Sequence, residues 1–378
     1  MRILVSTNGK LALISPAGGD LEYLNLDYEH YASWSAGPIF SDGHHILLTS
    51  WSMINDWRGE ATVLQWIYDF PTRTLERLTI EDREYRWVVP CFLLPDEKQM
   101  VVNIMIDDEN RIFRMNLDGS GPVAITQRGE GFHYCIYLSP DGSRLACHAL
   151  GRPFSKMPYH ILTANLDGTG RVIIANHPDH LYFGPIWSPD GSRLVYLDCI
   201  PKNDPGHDWA SICVGRPDGS EHRVLSTEHV HWFATSYGAP EMPINARSTG
   251  SNLPSWSPDG KILFTRVQPG SAMPWQWRTG HPDEDHFNRQ FLPEQARGGT
   301  QLCLIDPVNA AITPITEFED GRWDSHARYT PDGKHIVFRR GRVGEAASIW
   351  MIDADGGNPR HLTSGENKLG AGVVGFVN

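Results

Sequence analysis

From end to end, the chain alternates short apolar runs with tight polar turns. Ile186-Trp187 leads into Ser188-Pro189-Asp190-Gly191, and the alternating run Arg193-Leu194-Val195-Tyr196 follows. Proline presets φ, aspartate caps the turn and glycine takes the positive φ, so this phrase predicts a β-hairpin. Ser139-Pro140-Asp141-Gly142, Ser257-Pro258-Asp259-Gly260 and Thr330-Pro331-Asp332-Gly333 repeat it, and Ser41-Asp42-Gly43 and Leu94-Pro95-Asp96-Glu97 are worn copies. A second turn phrase follows each one, as in Asn116-Leu117-Asp118-Gly119, Asn165-Leu166-Asp167-Gly168, Arg216-Pro217-Asp218-Gly219 and Asp353-Ala354-Asp355-Gly356, with further copies near Ala17, Pro71 and Val308.

The second phrase recurs about every 50 residues, with one unit of about 90, and two tight turns per unit make four strands. Seven such units predict an all-β, seven-bladed propeller of four-stranded antiparallel blades, one domain spanning residues 1–378. Ala371 to Val377 supplies an inner strand with no hairpin after it, while Arg2 to Ser6 and Leu11 to Ser15 lack an inner partner. The last blade is therefore expected to be closed by both termini.

In a four-stranded blade the two tight turns share one face, and the remaining loops emerge on the other. The insertions at about 51–60, 150–160, 200–209, 227–252 and 267–299 are all of the second kind, which marks that face as the working side. The histidines show the same asymmetry: of 17, ten (30, 133, 177, 180, 207, 229, 231, 281, 286 and 326) belong to it. Inner-strand starts carry His30-Tyr31, Arg86-Trp87, His133-Tyr134, His180 with Tyr182, and Asp324 with His326. Imidazoles, an arginine and aromatics gathered at one channel mouth predict a ligand site, although any one of these residues could simply hydrogen-bond its neighbours. Trp209, Trp275 and Trp277 are either loop anchors or stacking walls for sugar rings.

Charge and cysteine content narrow the partners. A net charge of −12 without a basic cluster argues against nucleic acid, while a local arginine and histidine pocket can still hold an anionic ligand. The six cysteines show no paired metal spacing and read as reduced thiols. No signal segment and no long apolar span is visible, which predicts a cytoplasmic protein without a membrane partner.

The Trp-Ser-Pro-Asp-Gly phrase, together with Asp353-Ala354-Asp355-Gly356-Gly357-Asn358 and Leu362-Thr363, resembles the TolB-type propeller repeat along essentially the whole chain. Among propellers with such repeats the chain is most similar to the oligogalacturonate lyase family, and Pro205-Gly206-His207-Asp208 is similar to a stretch of those lyases. The resemblance implies β-elimination on an acidic, uronic-acid-containing oligosaccharide. It also implies a divalent metal such as Mn²⁺, held by histidines five and seven positions before the turn proline. Here those positions before Pro331 are His326 and Asp324, whereas Leu253 stands five before Pro258.

Elimination needs a base, positive charge to stabilise the carboxylate-derived intermediate, and an acid for the leaving oxygen. His133 or His231 is the expected base, Arg86 or a metal on Asp324 and His326 the neutralising charge, and Tyr134 or Tyr182 the proton donor. His30, His180, His207, Trp209, Trp275, Trp277 and Arg278 are the expected substrate contacts. Two other readings stay open. One is a non-catalytic propeller binding a protein or glycan, and the other is a glycoside hydrolase using two of Asp208, Glu241, Asp283, Glu284 and Asp285.

Overall fold

The computed structural model describes residues 1–7, 10–26, 31–52, 63–78, 87–151, 159–199, 209–231, 233–234, 250–277, 289–345, 347–363 and 372–378. Among them there is no α-helix, and β-strands carry the fold. No helix is long and apolar enough to cross a membrane.

Five four-stranded antiparallel sheets stand alone. Four are consecutive meanders, for example Phe132–Leu138, Arg144–Leu150, His160–Asn165 and Val172–Ala175. The fifth contains both chain ends: Arg2–Thr7 pairs with Lys10–Ile14 on one side and with Val373–Val377 on the other, Arg2 opposite Val377. The architecture is thus a β-propeller of four-stranded blades.

Seven separate sheets are not what forms, and the expected count is corrected to five plus one eight-stranded sheet. In the larger sheet, Leu181–Trp187, Leu194–Cys199, Ala210–Gly215 and His222–Val230 join Ser255–Trp256, Ile262–Val267, Thr300–Ile305 and Ile312–Pro314 through one residue pair, Val230 with Arg266. The reason is local. The inner strand Ser255–Trp256 reaches only Ile262 and Leu263 of its neighbour, so the next positions of that edge pair with the chain leaving the preceding unit. His231 continues the contact by donating its N–H to the Thr265 carbonyl at 2.9 Å.

Apolar side chains of facing sheets interlock to make the core. Leu94, Val101 and Ile112 pack on Ile136, Leu145 and Leu162, and Ile3, Val5 and Ile14 pack on Val337, Ile349 and Met351. Leu194–Cys199 is buried at every position, as expected for a middle strand covered on both faces. The repeated turns behave as read: Asp190 accepts from Ser188, and from the Ser192 amide at 3.0 Å, and these hydrogen bonds hold its carboxyl down to about 2.

Because Arg2–Thr7 finds its inner partner only at the far end of the chain, removing residues 372–378 is expected to expose the Ile3 and Val5 edge and abolish cooperative urea unfolding. A truncated protein with an unchanged unfolding midpoint would show that the terminal strand is dispensable.

Candidate functional site

One feature of the inner strands decides where their polar side chains go. Cys135, Gly184 and His326 have φ of 47°, 64° and 52°, and the strand register breaks between Tyr134 and Tyr137, Phe183 and Ile186, and Ser325 and Arg328. Each of the three lies five residues before its turn proline. These are β-bulges, in which an extra residue leaves the ladder and re-aims its side chain. The bulges crowd together at the ring centre: a Cβ placed on Gly184 would overlap the Leu253 side chain, and one on Gly372 would lie 3.3 Å from the His326 Cβ. Only glycine fits at 184.

On the face with the long loops, the clearest chemical pair is His180 with Asp198. Tyr182 sits opposite Asp198 in the ladder, and His180 just precedes that strand, so its Nδ1 falls 2.7 and 2.9 Å from the two Asp198 oxygens. Asp198 is buried and His180 about a quarter exposed. A carboxylate on Nδ1 fixes the tautomer and leaves Nε2 to accept a proton. The imidazole stacks on Tyr182, centroids 5.7 Å apart, and meets His177 edge-on at 4.5 Å. Burial pushes the Tyr182 hydroxyl up to about 12, so it remains a donor.

Sequence reasoning selected His180 as a substrate contact and overlooked Asp198. Its signal was an acid inside the apolar strand Leu194–Cys199, where an unpaired carboxylate would be costly. His148 was also overlooked. It lies between Tyr134 at 5.6 Å, Tyr159 at 5.2 Å and Phe183 at 6.1 Å.

The placement expected of His133 and His231 is corrected. His133 is 1% exposed and faces the preceding sheet, where Nδ1 donates to the Asn110 carbonyl at 3.1 Å and Nε2 is 3.9 Å from Glu130. It shares a ladder row with Ala149, whose methyl lies in the apolar contact between sheets. His231 is also buried, its ring against Trp209 at 6.3 Å and Trp323 at 5.5 Å. Neither imidazole stands at a channel mouth. Trp209 acts as an anchor over His231, and Trp275 and Trp277 lie in a two-stranded ribbon with Arg289–Phe291.

The metal expectation fails on donor chemistry. Asp324 is fully buried and takes the Arg340 fork, Nε to Oδ1 at 2.7 Å and Nη2 to Oδ2 at 2.8 Å, while its backbone N–H donates to Thr300 Oγ1 at 2.7 Å. Arg340 is further fixed over the Trp350 ring at 4.8 Å. Simple alternation would put Asp324 and His326 on one side of the strand, but the bulge separates them. His326 instead has its N–H bound by Asn252 Oδ1 at 2.7 Å, and the same amide donates to the His231 carbonyl. No group of three potential ligands occurs among the described residues, so the residues present do not fit the Mn²⁺ site. His30, Arg86, His207 and Arg278 lie outside the described residues.

Two outcomes follow from these environments. Burial lowers the His133 imidazole to about 4 and that of His326 to about 3, with Arg339 and Arg328 adding to the latter. An unfolded chain protonates histidine near pH 6.5, so below that pH it takes up protons the folded state refuses, and stability falls as pH drops from about 6.5 toward 4. The urea midpoint should decline over that window, and His133→Gln should flatten the decline; an unchanged slope would contradict the burial assignment. Separately, Asp324→Asn should leave the Arg340 charge uncompensated at a cost of about 3–5 kcal/mol, whereas a chelator should not move the wild-type melting temperature. A chelator-sensitive melting temperature would return Asp324 to the metal reading.

No protein-family model matches the chain, and no curated protein matches its sequence. Among solved structures it is similar to an oligogalacturonate lyase in complex with manganese, with TM-score 0.57 and 14% identity over 96% of this chain and 84% of that one. It is similar to a puromycin-hydrolysing peptidase of Mycobacterium tuberculosis, with TM-score 0.59 and 15% identity over 95% of this chain and 52% of the peptidase, about half of whose length it spans. A putative TolB from Agrobacterium tumefaciens matches with TM-score 0.44 and 18% identity over 81% of this chain and 90% of that one. The likeness is one of fold: the chain is a β-propeller, an architecture it shares with the oligogalacturonate lyase and the puromycin-hydrolysing peptidase.

Proposed function

We propose that the protein cleaves a uronic-acid-containing oligosaccharide by β-elimination on the loop-bearing face, with His180 as the base. The observation that carries this reading is the His180–Asp198 pair, a partly exposed imidazole whose Nδ1 is held by a buried carboxylate. His180 Nε2 takes the proton α to the uronate carboxylate, the bond to the leaving oxygen breaks, and a carbon–carbon double bond forms. Tyr182, stacked on the same imidazole and kept protonated by burial, supplies the proton to the leaving oxygen. Arg86 is the sequence candidate for neutralising the carboxylate, and Arg278 a candidate substrate contact. The resemblance of the turn repeat and the shared fold with a lyase support the substrate class. That lyase was solved with manganese; no step here uses a metal, because Asp324 is committed to Arg340. We also count the eight-stranded sheet as two blades joined at one residue pair, which makes a ring of seven.

Binding without catalysis is the second reading, favoured by the burial of His133 and His231 and by the engagement of Asp324. One experiment separates the two. Incubation with acidic oligosaccharides should generate the ultraviolet absorbance of an unsaturated uronide, and His180→Ala should lower kcat/KM by about 10²–10⁴. Binding with no product would establish a binder, and new reducing ends without that absorbance would establish a hydrolase.

A further inference from the structure

At the end of its blade opposite the Pro331–Gly333 turn, the strand pair Arg322–Tyr329 and His335–Arg342 sets arginine against arginine: Arg322 stands directly across from Arg342 in the ladder. Two residues further in, Asp324 stands across from Arg340, so all four side chains share one face of the sheet. Like charges directly opposite one another are destabilising, and an anion between them removes the penalty. Asp324 does not serve, because both its oxygens are taken by Arg340. The carboxylate that does is Glu319, which accepts from Arg322 Nη1 at 2.9 Å through one oxygen and pairs with Arg342 Nη2 through the other.

Both guanidinium groups are also held independently of that carboxylate. Arg322 Nη2 donates to the Glu317 carbonyl, and Arg342 Nη1 donates to the Asp320 carbonyl at 3.2 Å. The turn that carries these carbonyls is closed by the Arg322 N–H on the Glu319 carbonyl at 3.1 Å. Gly298 pins it, accepting from the Gly321 N–H at 2.7 Å and donating to Asp320 Oδ1 at 3.0 Å. The Glu319 side chain, in contrast, is half exposed, and its carboxylate meets only the two arginines among the described residues. Exposed ion pairs contribute little to stability, so a ligand can displace this one without dismantling the turn. We propose that Arg322 and Arg342 form a clamp for the carboxylate of an acidic sugar, with Glu319 as an internal stand-in that such a ligand displaces. Guanidinium groups present paired N–H donors that match the two oxygens of a carboxylate. Arg342 is 40% exposed and Arg322 13%, so a ligand arriving from solvent meets Arg342 first. The choice of a uronate rests on the elimination reading above, whereas the clamp does not depend on His180 being a base.

Isothermal titration of the full chain with galacturonate, which has no glycosidic bond to break, tests the clamp apart from catalysis, with galactose and inorganic phosphate alongside. Galacturonate should bind at one site and more weakly as salt is added, and galactose should not bind there. Arg342→Gln should weaken binding by about 10- to 100-fold. Glu319→Gln should tighten it by about 2- to 5-fold, because the competing carboxylate is gone. No binding of galacturonate, wild-type affinity in Arg342→Gln, no gain in Glu319→Gln, or galactose as tight as galacturonate would each overturn the proposal. Phosphate tighter than galacturonate would overturn the sugar assignment. Should Arg342→Gln fail to fold by circular dichroism, Glu319→Gln decides alone. Galacturonate held by the clamp with no unsaturated product from oligomers would leave the clamp standing and remove the elimination reading. Elimination with KM unchanged in Arg342→Gln would do the reverse.

Discussion

Apolar packing between neighbouring sheets is the interaction on which the rest depends. Each blade buries side chains on both faces against the next, as Leu145 and Cys147 do on one side of their strand and Ala146 on the other. A strand covered on both faces has no room for free polar groups, so those that enter must be paired where they stand. Asp324 with Arg340, His133 with Asn110 and Asp198 with His180 are three results of that requirement. What separates them is exposure: His180 keeps 26% of its side chain in solvent, against 15% for Arg340 and 1% for His133.

The bulge in the inner strand is the second organising device. Cys135 and His326 adopt left-handed backbone conformations that cost an ordinary residue about 1 kcal/mol. The surrounding ladder and Asn252, which binds the His326 N–H, hold the conformation in place. The consequence is chemical. Residues two apart on one strand are split between the sheet contact and the channel, which dismantles a ligand pair that alternation would have assembled from Asp324 and His326.

The candidate chemistry of this fold lies beside His180. The rim offers an oriented imidazole beside a protonated tyrosine, an arrangement suited to moving a proton. That arrangement depends on a contact between residues of different strands.

The sequence by itself determined the repeat, the four-strand unit and the closure by both termini. Those properties rest on local chemistry: Pro189, Asp190 and Gly191 specify a turn within four residues, whatever surrounds them. It also pointed to His180, because a histidine at the start of an inner strand lies near the ring axis in any propeller. Tertiary structure alone decided which partner each polar residue meets. The Asp198 carboxylate reaches His180 across 18 positions, and Arg340 reaches Asp324 across 16, through ladders whose register a single extra residue shifts. Because the side-chain period of a strand is two, that one residue reverses the direction of the side chains after it. The bulges stand at a fixed offset before the turn proline, but that offset does not say which partner each side chain meets, so His133, His231 and Asp324 were legible as polar residues on inner strands but not as buried ones.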